Sequence, residues 1–60
     1  MRSGDIVEII YQAKDGRFSR RHIRVINDGE KYLEAYCYMR KNVRIFKKEN
    51  ILAENRIKRA

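Results

Sequence analysis

Sixty residues carry 15 Lys and Arg against 8 Asp and Glu, a formal charge of +7. That length allows one domain, spanning 1–60, whose core supplies only roughly 3–5 kcal/mol. A single cysteine and a single histidine exclude an internal disulfide and a four-ligand zinc site, and no cofactor is expected. The charge favours a polyanion: nucleic acid, a phosphorylated small ligand or an anionic surface. No apolar stretch follows Met1-Arg2-Ser3-Gly4-Asp5, and aliphatic runs are short, so no leader and no membrane span is expected. The free thiol and the missing leader together point to the cytoplasm.

The first predicted strand is Asp5–Gln12. Val7, Ile9 and Tyr11 share one face; Ile6, Glu8 and Ile10 share the other. β-Branched Ile and Val suit a pleated surface. Both faces are largely apolar, which predicts a central strand or one covered on both sides. Ala13-Lys14-Asp15-Gly16 is a turn in which Asp-Gly supplies the positive φ of a tight hairpin.

The second strand is Phe18–Asn27. Ser19, Arg21, Ile23 and Val25 form one face; Phe18, Arg20, His22, Arg24 and Ile26 form the other. Arg21 thus has the parity of the inward residues, so it must be paired, lie at the mouth of a barrel or line a pocket. Ser19 and His22 point to opposite faces and cannot form a nucleophile–base pair. Asn27-Asp28-Gly29 predicts a second hairpin turn of the same kind.

The third strand, Lys31–Tyr38, alternates most clearly. Leu33, Ala35 and Cys37 face one way, and Tyr32, Glu34, Tyr36 and Tyr38 the other. Cys37 reads as a small core hydrophobe. The turn and fourth strand, Asn42–Lys48, carry Arg40, Lys41, Arg44, Lys47 and Lys48 with no acid among them. Ile45 and Phe46 are adjacent, so strict alternation cannot bury both. Either the strand is covered on both faces or it bends at a bulge. A tight 3-10 turn at Lys48–Asn50 leads to a closing strand, Ile51 to about Ile57, in a tail whose composition also suits helix.

Five short strands, regular turn signals and no proline predict an all-β domain, a small closed or half-closed barrel. Closure would remove exposed edges. Arginine grips phosphate through paired hydrogen bonds and stacks on bases. Tyrosines on a sheet stack bases for roughly 1–3 kcal/mol each. Tyr32, Tyr36 and Tyr38 beside Arg40 and Arg44 therefore suit single-stranded nucleic acid. Tyrosine is equally a good strand residue with a wet hydroxyl. No carboxylate pair, metal cluster or glycine-rich phosphate loop is visible, so the chain does not read as an enzyme.

The run Lys31-Tyr32-Leu33-Glu34-Ala35-Tyr36-Cys37, then Arg40, then Arg44-Ile45-Phe46, resembles the signature of the WYL domain family. Ile9-Ile10-Tyr11, Gly16, Arg21 and Glu49-Asn50-Ile51 extend the resemblance over about Ile6 to Ile51. Lys31 stands where the family has tryptophan, Val25 where it has proline and Asn50 where it has arginine. The resemblance implies an isolated module with an Sm-like, SH3-type barrel, acting as a ligand sensor in bacterial or phage transcription regulation. It implies nucleic acid or nucleotide as ligand and Arg21, Tyr32, Arg40 and Arg44 as binding residues; the aromatic reading adds Tyr36. The competing expectation is a protein-interaction or homo-oligomerisation module anchored by tyrosine and arginine.

Overall fold

The computed structural model describes residues 1–58. The expectations for Arg59 and Ala60 lie outside the described residues. Five strands form one antiparallel sheet in the order β4-β3-β2-β1-β5. They are β1 (Ile6–Gln12), β2 (Phe18–Asp28), β3 (Tyr32–Cys37), β4 (Asn42–Lys47) and β5 (Ile51–Lys58). A 3-10 turn, Lys48–Asn50, joins the last two. The class is all-β, as the alternation predicted. The order is compatible with an SH3/Sm-like arrangement, with β4 and β5 standing as the two edges of the sheet.

Strands β1 to β4 each commit one face to the core, because successive side chains alternate, while β5 adds only half-buried Ile51. Val7 and Ile9 of β1, Ile23 and Val25 of β2, Leu33, Ala35 and Cys37 of β3, and Phe46 of β4 are all buried. Met1, Tyr11 and Ile51 pack against them. β1 is interior to the sheet, yet its second face is not covered: Ile6 and Ile10 are only half-buried.

β4 departs from both expectations. It is neither bulged nor covered on two faces; its register against β3 is unbroken from Tyr32–Lys47 to Cys37–Asn42. Phe46, opposite Leu33, is buried, and Ile45 is left 59% exposed. An edge strand can leave an apolar residue in solvent, since nothing packs on its outer face. The shifts occur elsewhere: between Val25 and Asn27, and twice where β5 meets β1.

The two glycine turns work differently. Gly16 adopts φ +86°, the left-handed region where a side chain is strained. Its amide donates to the Ala13 carbonyl at 3.0 Å. Gly29 is not among the left-handed residues, which are Gly4, Gly16 and Lys41. Glycine is required there by close approach: a Cβ would sit 2.8 Å from the Tyr32 carbonyl oxygen. The expectation of two turns of one kind is therefore corrected.

Two carboxylates tie the start of the chain to the sheet. Asp5, expected inside the first strand, lies just before it and is buried. Its Oδ2 accepts the Arg2 amide at 3.0 Å and lies 3.7 Å from Arg56 Nη1. Its backbone carbonyl accepts the Val25 amide at 2.9 Å. Asp28 accepts a hydrogen bond from Lys48 Nζ and another from the Met1 amino group at 3.2 Å.

The Lys48 bond is the main reason the Asp28 carboxyl sits below its ordinary value; partial burial opposes the shift and the Met1 amino group adds to it. A depressed folded pKa stabilises above the unfolded value near 3.8 and loses that stabilisation as pH falls through the folded value. Asp28→Asn should therefore lower the melting temperature at neutral pH. The gap to wild type should close as melts are taken toward about pH 2. A gap independent of pH would contradict this role.

Candidate functional site

The concave face changes character along its length. On β2 it runs from buried Val25 and Ile23 to half-buried Arg21 and Ser19. On β4 it runs from buried Phe46 to exposed Arg44. Arg21 stands opposite Ile9, and Arg44 opposite Ala35. Both arginines share the sheet surface that holds the core, but lie where the core gives out.

A cleft of about 460 Å³ opens there. Its walls carry Tyr11 and Lys14 from β1 and the following turn, Arg21 from β2, Tyr32 from β3, Arg40 from the β3–β4 turn, and Arg44 and Lys47 from β4. Among the described residues, five cations and two phenols line it, and no carboxylate does. Four of the five expected residues, Arg21, Tyr32, Arg40 and Arg44, thus share one cleft.

Tyr36 does not line it. Tyr36 lies on the outer face between Arg24 and Val43, and its ring meets Tyr38 edge-on at 5.3 Å. The three phenols of the third strand therefore do not form one platform. β3 ends at Cys37, so Tyr38 belongs to the turn. Tyr32, at the other end of β3, is 52% exposed and borders a second cleft of about 450 Å³, which it shares with Lys47. That second cleft is mixed in charge, with Glu30 and Glu49 beside Lys31 and Lys48.

Arg21 is the best-held cation of the site. Its Nε donates to Ser19 Oγ at 3.2 Å, and its Nη1 lies 3.9 Å from Cys37 Sγ. Cys37 is fully buried, as a core residue should be. Burial pushes its thiol up. The Arg40 amide, the Arg21 guanidinium and the Met39 amide together outweigh burial and hold it below its usual value. Cys37 is thus a core residue that touches the cleft only through Arg21.

Ion pairing sorts the remaining charges. Arg17 pairs with Asp15, Arg20 with Glu8, Lys48 with Asp28 and Arg56 with Asp5. Among the described residues, no carboxylate lies within ion-pair distance of Lys14, Arg21, Arg40, Arg44 or Lys47. The cleft therefore concentrates positive charge that the fold leaves uncompensated. His22 stands outside it, with Nε2 3.0 Å from Glu8 Oε2. Among the described residues, no three His, Cys, Asp or Glu side chains gather as metal ligands.

Tyr11, Lys14 and Lys47 were not singled out as site residues in the sequence. Tyr11 had the inward parity of Val7 and Ile9, and Lys14 follows in the turn, but their approach to β4 depends on sheet curvature. In comparisons with known proteins, no family model, curated protein or solved structure matches this chain.

Arg40 and Arg44 are exposed and make no ion pair among the described residues, so Arg40→Ala and Arg44→Ala should shift stability by no more than about 0.5 kcal/mol. Arg21→Ala removes two contacts from a half-buried position and should cost about 1 kcal/mol. Urea unfolding of the three variants checks the ranking. A larger loss at Arg44 than at Arg21 would reverse it.

Proposed function

We propose that this domain is a non-catalytic, regulatory binding module, and that its cleft takes single-stranded nucleic acid or a nucleotide-like anion. One observation carries the reading: five cations without carboxylate partners among the described residues line one cleft together with two phenols. Arg21, Arg40 and Arg44 grip phosphate oxygens, each guanidinium offering a planar pair of donors. The exposed Tyr32 ring offers a base its face. Arg21, braced by Ser19, loses less side-chain freedom on binding than a free arginine would.

The resemblance to WYL-type sensors, carried by Tyr32 to Phe46, supports the same reading and proposes a cytoplasmic, SH3/Sm-like barrel.

Three phosphate contacts to a single strand give a slope of log affinity against log salt of about −2. Affinity for an oligothymidylate should therefore fall about a hundredfold for a tenfold rise in salt. Arg44→Ala should weaken binding and flatten the slope by about 0.7. Tyr36→Ala should leave both unchanged, because Tyr36 lies off the cleft. A salt-independent affinity, or equal binding by wild type and Arg44→Ala, would overturn the proposal.

A further inference from the structure

The two edges of the sheet are not alike. β5 pairs with β1 through shifts at both ends, between Ile6 and Val7 and between Ile10 and Tyr11. Irregularities of that kind bend an edge and interrupt its ladder, which protects it from further pairing. β4 pairs with β3 through six residues without a shift. No strand of the sheet occupies its other side among the described residues. The chain has no proline to blunt that side.

β4 is also two-sided in chemistry. Val43 and Ile45 have the outer-face parity, 50% and 59% exposed; Val43 lies clear of the cleft and Ile45 reaches its rim. Arg44 lies on the inner face and opens into the cleft with Arg40 and Lys14. A regular free edge, apolar above and cationic below, specifies what would complete it.

We propose that β4 is a strand-addition site for an extended peptide whose residues alternate apolar and acidic. The peptide main chain continues the ladder as a sixth strand. Its apolar residues cover Val43 and Ile45, and its carboxylates face Arg44 and Arg40. Charge selects this occupant over a second copy of the chain, which would bring +7 against +7. The two-fold register that sets Val43 against Ile45 would also set Arg44 against Arg44, which is destabilising. A nucleic acid strand offers no peptide ladder and nothing to cover Val43, which lies outside the cleft lining.

The probe is a synthetic peptide of alternating valine and glutamate, matched in length to β4. Backbone hydrogen exchange read by NMR should slow at the β4 amides that do not bond to β3. A version N-methylated at alternate residues, which cannot continue the ladder, should not slow them, and neither should a valine–lysine version. Val43→Ser should weaken the valine–glutamate peptide about tenfold while leaving oligothymidylate affinity unchanged. Arg44→Glu should transfer preference to the valine–lysine peptide. The proposal is overturned if the N-methylated peptide binds as well as its parent, or if the slowed amides lie on β5. It is equally overturned if an oligonucleotide, and not the peptide, slows the β4 amides.

Discussion

An edge-on contact between Tyr11 and Phe46, with ring centroids 5.1 Å apart, joins strands that are not neighbours in the sheet. β2 and β3 lie between them in the strand order. The contact can form only if the sheet curls until β1 and β4 face one another. The rest of the structure depends on that curl. It brings the inner faces of four strands over one small core and leaves the rows beyond the core facing each other across a cleft. Aromatic pairs of this geometry add about 0.5–1.5 kcal/mol beyond area burial. In a domain whose whole core supplies roughly 3–5 kcal/mol, that is a substantial share.

The same curl explains why the site is basic. The inner faces of β2 and β4 are apolar only in part, and their charged remainders are Arg21 and Arg44. Curling aims both into one concavity, where Arg40 and two lysines join them. Four of the eight carboxylates are engaged elsewhere. Asp5 and Asp28 hold the start of the chain to the sheet, Glu8 serves Arg20 and His22 on the outer face, and Asp15 serves its own turn. A concavity also screens charge less than a flat surface does, so the same cations exert a stronger field there.

Much of this was legible in the residues because alternation is a local property. Leu33, Ala35 and Cys37 read as inward and are buried; Arg21 read as a cation on the wrong face and lines the cleft. The turn at Lys48–Asn50 and the closing strand also followed from local pattern. What local pattern cannot supply is coverage. It places Ile45 and Phe46 on opposite faces but does not say that the outer face of β4 is bare. It groups Tyr32 with Tyr36, correctly as to face, yet the two sit at opposite ends of β3, and only Tyr32 reaches the cleft. The bulge at Ile26 and the capture of Met1 and Lys48 by Asp28 depend on residues far apart in the chain. The need for glycine at position 29 arises from a carbonyl three residues on, not from φ.

If the proposed function holds, one concavity, and not net charge, draws the polyanion. Arginine side-chain Nε–Hε and tyrosine ring resonances, followed by NMR as oligothymidylate is added, test this directly. Saturating shifts are expected at Arg21, Arg40, Arg44 and Tyr32, with Arg17, Arg20, Arg56, Tyr36 and Tyr38 unmoved. Shifts spread evenly over all the arginines, or confined to the outer face of the sheet, would contradict it.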